Sequence, residues 1–168
     1  MTPRPGHHIL LIDTRRLCIV SSSGKENYTA LSYIWGNTAM FKTTKRNRKT
    51  LQEDGVLNRD HEPSIPATVR DAILLTAEIG VPYLWVDSLC IVQDDDDSRN
   101  IHLSSMAAIY ANTSVTLIAA AGEDVDHGIL GVLGGSHTRD KPCRIIRTDS
   151  GLRWVLGPIY PGWPYQSK

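Results

Sequence analysis

Val81-Pro-Tyr-Leu-Trp-Val-Asp87-Ser-Leu-Cys-Ile-Val-Gln-Asp-Asp95 is the stretch on which the fold turns. From Tyr83 to Val92 it is an almost continuous apolar run, the pattern of a strand covered on both faces of a parallel sheet. Asp87 interrupts that run, and four consecutive aspartates, Asp94 to Asp97, follow it. An ionised carboxylate in an apolar setting is costly unless it is paired or hydrogen-bonded, so Asp87 needs a cap, a charge partner or a site.

Working outward, Ser64-Ile-Pro66 opens a helix, because proline in a first turn lacks only an N–H that had no partner there. Val69, Ala72, Ile73, Thr76 and Ile79 recur at helical spacing, and Gly80 with Pro82 ends the element. On the other side, Asp97 or Ser98 can cap a second helix whose stripe is Ile101 or His102, Ser105 or Met106, then Ile109 or Tyr110. A buried strand, Ser114-Val-Thr-Leu-Ile-Ala-Ala-Ala121, comes next. Earlier in the chain, Tyr28 to Ile34 is a strand rich in bulky residues, broken by Gly36-Asn37. Before it, Ile9-Leu-Leu-Ile12 and Leu17-Cys-Ile-Val20 are short strands joined by the charged Asp13-Thr-Arg-Arg16. Strand, helix, strand, helix, strand in succession predicts an α/β fold with an open, mainly parallel sheet flanked by helices. After Gly122 the chain changes: Gly128, Gly131, Gly134 and Gly135 punctuate a loop. Cys143-Arg-Ile-Ile-Arg-Thr148 and Leu152-Arg-Trp-Val-Leu156 then predict a C-terminal β-hairpin around Asp149-Ser-Gly151.

The chain of 168 residues suits one domain, residues 1–168, able to bury roughly 70% of its unfolded surface. Lys plus Arg equals Asp plus Glu at 18 each, which gives no electrostatic footprint for nucleic acid or an anionic membrane. Charge is uneven locally: Lys42 to Lys49 holds five cations in eight residues, either a solvated loop or a basic patch for an anionic ligand. Cys18, Cys90 and Cys143 form no C-x-x-C pair, a usage that fits a reducing compartment. No signal-peptide core and no apolar run near the ~20 residues that span a bilayer is present, so a cytoplasmic location, or else a nuclear one, is expected.

Several chemistries lack their motifs. There is no G-x-S-x-G elbow and no glycine loop leading into Gly-Lys-Ser/Thr. His61, His102, His127 and His137 show no zinc spacing with the cysteines, so no metal is expected there. Read as an EF-hand from Asp94, the sixth position would be Arg99 and the twelfth Ser105, which excludes that loop. The aspartates are then either acids favouring a helix N-terminus or a weak Mg²⁺ site from Asp94 and Asp96. Asp87 lies at or just beyond the carboxyl end of a strand, where open α/β sheets bind ligands. Either it binds backbone amides of the following turn with help from Ser88, or it orients a ligand in a cleft beside Ser32, Tyr33 and Trp35. Trp35-Gly36 is either core and turn, or a stacking wall for a flat ring with close backbone approach at Gly36.

Two blocks carry a family resemblance: Tyr28-Thr-Ala-Leu-Ser-Tyr-Ile-Trp-Gly36 and Tyr83-Leu-Trp-Val-Asp-Ser-Leu-Cys-Ile-Val-Gln-Asp94. With Pro66, Asp71-Ala72 and Met106-x-x-Ile109-Tyr110 they resemble the fungal heterokaryon-incompatibility (HET) domain, from about Leu10 to the C-terminus. The resemblance implies a flavodoxin- and TIR-like fold and a role in fungal non-self recognition, programmed cell death and innate immunity. It implies either an NAD⁺ glycohydrolase, with NAD⁺ as substrate and no cofactor, or a non-enzymatic assembly module that forms a homo-oligomer or binds a partner protein. On this reading Tyr33, Trp35, Gly36 and Asp87 line a central cleft, Asp87 is the catalytic candidate, and Asp94 and Asp95 stand at the rim. Two departures stand out. Many relatives carry Glu or Gln where this chain has His102, and no glutamate occurs from Val81 to Gly122. The terminal Pro161-Gly-Trp-Pro-Tyr-Gln166 replaces an Arg-Gly-Trp-Thr-x-Gln-Glu-like motif, so a truncated or degenerate copy is a third expectation.

Overall fold

The computed structural model describes residues 8–36, 41–58, 65–120, 124–132, 146–148 and 151–153. Expectations placed on Asn37, His61, Ser64, Gly134, Gly135, His137, Cys143, the turn at 149–150 and the segment 161–166 lie outside these residues, as does the side chain of Ser98. A five-stranded sheet has the order β2-β1-β4-β3-β5, formed by β1 (Ile9–Asp13), β2 (Cys18–Ser22), β3 (Tyr28–Tyr33), β4 (Tyr83–Trp85) and β5 (Val115–Ala119). Among the described residues it is joined by the helices α1 (Ala67–Glu78), α2 (Asp87–Cys90) and α3 (Asp96–Ala111) and by a 3-10 turn at Thr50–Gln52. Strands β6 (Ile146–Thr148) and β7 (Gly151–Arg153) pair antiparallel as the expected hairpin.

The sheet is mixed rather than mainly parallel. β3 runs parallel to β4 and β5, whereas β1 meets both β2 and β4 antiparallel. The cause lies in the connections. Parallel neighbours need a long crossover, and the helices supply one only around β3, β4 and β5. The β1–β2 link is a tight turn in which Asp13 Oδ1 accepts the N–H groups of Arg15 and Arg16, both at 3.0 Å. Leu17 N–H then donates to the Asp13 carbonyl at 2.9 Å, so the chain can only fold back as a hairpin.

Alternation along β3 puts helices on both faces of the sheet. Thr29 Oγ1 lies 2.8 Å from Thr76 Oγ1 of α1. The adjacent Tyr28 points the other way, and its hydroxyl donates to the Ile109 carbonyl of α3 at 2.6 Å. On that side Trp85 meets Tyr110 edge to face, centroids 5.6 Å apart, and the Tyr110 hydroxyl donates to the Leu31 carbonyl. The core between these layers includes Leu11, Ile12, Leu31, Val69, Leu84 and Trp85.

Helix α1 follows its sequence signals closely. Pro66 is its N-cap, and Val69, Ala72, Ile73 and Thr76 are buried. At the far end the Gly80 N–H donates to the Ala77 carbonyl and the Val81 N–H to the Thr76 carbonyl, a Schellman pair made possible by φ +78° at Gly80. Asp71 was not expected inside, yet it is fully buried and accepts the Ile129 N–H at 2.7 Å. With Gly128 N–H donating to Thr68 Oγ1 and Thr68 N–H to the Val125 carbonyl, it fastens the segment 124–132 to α1. Helix α3 starts at Asp96 with Asp95 as N-cap, a little before the expected Asp97 or Ser98. Only Ile109 of its stripe is buried, and Met106 and Tyr110 pack partly against the core.

The run from Tyr83 to Val92 is not one strand. β4 ends at Trp85, Val86 stays extended, and the N–H groups of Leu89 and Cys90 turn back to the Val86 carbonyl at 3.1 and 2.7 Å. Leu89, Cys90, Ile91 and Val92 are nevertheless all buried. An apolar run without periodicity cannot separate a buried strand from a buried turn, and here Asp87-Ser88 supplies the turn.

Candidate functional site

The parallel register Ala30↔Trp85 brings the carboxyl ends of β3 and β4 side by side. Tyr33 closes β3 and Asp87 follows β4 after Val86, so both arrive at the same edge. There the two carboxylate oxygens of Asp87 take different donors. Oδ1 accepts the Ser88 N–H at 2.7 Å, and Oδ2 accepts the Trp35 indole N–H at 3.0 Å. The Tyr33 hydroxyl donates to Ser88 Oγ at 3.0 Å and also bears on the Asp87 carboxylate. Asp87 is therefore held first by the Ser88 backbone amide and then by the Tyr33 and Trp35 side chains.

Burial raises the Asp87 carboxyl above the ordinary aspartate range, opposed by the hydrogen bonds from Ser88, Tyr33 and Trp35. Tyr33 is shifted upward by burial first and by the negative charge of Asp87 second. Tyr110 is pushed up to about 12 for the same two reasons. Tyr33 is thus a neutral hydrogen-bond donor throughout the physiological range.

A second layer fixes this arrangement. Gln93 Nε2 donates to the carbonyls of Asp87 and Ile91 at 2.9 and 3.1 Å, clasping the turn from inside. The basic segment lies across it. Thr43 is wholly buried, its N–H donates to the Ser88 carbonyl at 3.1 Å and its Oγ1 to the Leu89 carbonyl at 2.6 Å. Gln93 N–H returns to the Thr43 carbonyl at 2.8 Å. The solvated-loop expectation therefore holds for the exposed side chains of Lys45, Arg46, Arg48 and Lys49 but not for the backbone beneath them. Next to Thr43, the Lys42 ammonium sits 4.9 Å from the centre of the Trp35 ring.

The remaining expected residues fall around this cluster. Gly36 adopts φ +68°, a conformation that favours glycine, directly after Trp35. Ser32 is half-buried, pairs with Ile118 on β5, and by strand alternation stands on the opposite face from Tyr33. Asp94 Oδ1 accepts the Lys45 N–H at 2.8 Å, and Asp95 Oδ1 lies 3.5 Å from Lys45 Nζ. These two acids tie down the basic segment, while Asp96 pairs with Arg99 at 2.9 Å in the first turn of α3. His102 is half-buried on α3. Among the described residues no group of three or more His, Cys, Asp or Glu side chains could hold a metal ion. No described helix is long and apolar enough to cross a membrane.

Thr43 and Gln93 are the structural contributors that sequence reasoning missed. A threonine within a run of cations carries no signal of burial. Gln93 lies inside the decisive stretch, and its position at the end of an apolar run was the one available hint. Trp35 and Trp85 also differ in kind: Trp35 serves as a donor to Asp87, whereas the buried Trp85 indole N–H finds no acceptor among the described residues and acts through packing.

A family model described as heterokaryon incompatibility protein (HET) matches residues 28–155. A search of curated proteins finds no match, and a search of solved structures finds none. The matched span includes β3, Trp35, Lys42, α1, Asp87 and α3, so every part of the cluster falls within it.

Proposed function

The chain belongs to the heterokaryon incompatibility (HET) family, and we propose that it serves a fungal non-self recognition system ending in cell death, acting in the cytoplasm with the Asp87 cluster as its ligand site. One observation carries this reading: the buried carboxylate at the β4 edge is held by the Trp35 indole and Ser88, with Tyr33 beside it, and is not consumed by backbone amides alone. Parallel strands β3, β4 and β5 with helices on both faces support a flavodoxin- and TIR-like relationship, in which the carboxyl edge of the sheet binds the ligand.

The reaction proposed for this site, by analogy with TIR domains, is hydrolysis of NAD⁺ between nicotinamide and ribose. The C1′–N bond breaks with its electron pair going to the nicotinamide nitrogen, which becomes neutral. The positive charge that develops on the ribose is opposed by the ionised Asp87 carboxylate, oriented by Trp35 and Ser88. Water adds at C1′ and releases a proton, giving ADP-ribose, nicotinamide and H⁺. Nicotinamide release by the purified protein tests this, with Asp87→Asn alongside. We expect release that falls on the order of 100-fold in the variant, the usual size of one electrostatic or acid–base contribution. A folded protein that releases none would end the catalytic reading.

A second reading has its own support. Ile101 and Leu103 on α3 are 40% and 54% exposed, an apolar surface that suits self-assembly or a partner protein. Sedimentation velocity should then show a concentration-dependent oligomer that Ile101→Ser with Leu103→Ser dissociates. A wild-type monomer at all concentrations would remove self-assembly.

A further inference from the structure

Among the described residues Lys42 is the cation placed over the Trp35 ring, and its setting differs from that of its basic neighbours. Its carbonyl accepts Asn47 Nδ2 at 2.9 Å, and the next residue, Thr43, is bonded through N–H, Oγ1 and carbonyl to Ser88, Leu89 and Gln93. The root of the Lys42 side chain is thus fixed one residue from the turn that carries Asp87. Lys45 has Asp95 as counter-ion, whereas among the described residues no carboxylate lies within 4.0 Å of the Lys42 ammonium. Its described partner is the Trp35 ring at 4.9 Å, a weak cation–π contact that leaves the charge largely available.

We propose that Lys42 forms an anion subsite beside Asp87, which receives a phosphate group of a ligand whose ring lies at Trp35. The charges are arranged for a ligand with two unlike ends. Asp87 offers a negative group bonded to the Trp35 indole N–H, and Lys42 offers a positive one near the ring of the same indole. A lysine is suited to phosphate as a point charge with three rotatable donors, and needs no bidentate geometry. The substrate class is accordingly a nucleotide and not its uncharged nucleoside. The inference rests on the ligand-binding reading of the cluster but not on whether the bond to nicotinamide is cut.

The test uses the full chain and follows tryptophan fluorescence with nicotinamide mononucleotide and nicotinamide riboside, which differ by one phosphate. The wild type should favour the mononucleotide by about tenfold, the size of one charge-assisted hydrogen bond at a partly exposed site. Lys42→Gln should bring the two within about twofold, and an unchanged circular dichroism spectrum reports that the variant is folded. Arg46→Gln, removing an exposed cation of the same segment, should keep the preference. Absence of a preference in the wild type, its survival in Lys42→Gln, or equal loss in Arg46→Gln would overturn the proposal. Should riboside fail to bind the wild type, inorganic phosphate separates the two ideas. Phosphate binding that disappears in Lys42→Gln keeps the subsite and ends the nicotinamide reading; no phosphate binding ends both.

Discussion

Asp87 shows at the scale of one residue how burial and hydrogen bonding oppose each other. The unfolded chain releases this proton near the ordinary aspartate value of about 3.9, whereas burial holds the folded value higher. Between those two points the folded state binds more protons than the unfolded one. This group's contribution to stability therefore falls as pH rises from about 4 through the folded value, and is level beyond it. Asp87→Asn removes that titration while keeping the shape of the protonated acid. The difference in unfolding free energy, wild type minus variant, should fall with pH across that window when urea curves are taken in steps. Two curves that stay parallel from pH 4 to 8 would refute the raised value. Asp87 was legible in the sequence because a charge in an apolar run is conspicuous. Its partner was visible less directly, since Trp35 is far away in the chain and reaches Asp87 only through the β3–β4 register.

At the scale of elements, α1 was the most legible part, because proline, a helical stripe and glycine mark its start, face and end independently. Its attachment was not, because a helix stripe says which face is buried and not what covers it. The Thr29–Thr76 contact is the clearest instance: two hydroxyls meet at 2.8 Å in a fully buried layer between β3 and α1. Thr76→Val should destabilise by about 1–3 kcal/mol, since it strands the Thr29 hydroxyl without a partner. Thr29→Val with Thr76→Val removes both polar groups and should recover most of that loss. A double-mutant cycle by chemical denaturation measures the coupling, and additive single effects would show that the two hydroxyls do not depend on each other. The break after β4 was illegible for the opposite reason. Every side chain from Leu89 to Val92 is buried whether the backbone is extended or turned, so hydrophobicity alone could not separate the two.

For the whole molecule, α/β alternation predicted the layers and both covering helices, but not the direction of every strand. The mixed sheet follows from where the hairpin β1–β2 docks: β1 lies antiparallel against β4, at Ile12↔Leu84 and Asp13↔Tyr83. No local pattern encodes which edge a preceding hairpin will choose. Side chains of this hairpin, Leu11, Ile12 and Ile19, are buried in the same core as α1 and β4.

That docking bears on where the chain can be cut for expression. The family match begins at residue 28, beyond the hairpin, although the hairpin supplies one of the two neighbours of β4. A recombinant fragment 28–155 would expose the backbone edge of β4 and uncover the apolar surface that Leu11, Ile12 and Ile19 protect. It should be recovered as inclusion bodies or soluble aggregates, and co-expression of residues 8–27 as a separate peptide should restore a monodisperse product on gel filtration. A soluble, cooperatively melting fragment without the peptide would mean that the hairpin is dispensable. Boundaries drawn from the family match alone would cut away β1, the second neighbour of β4.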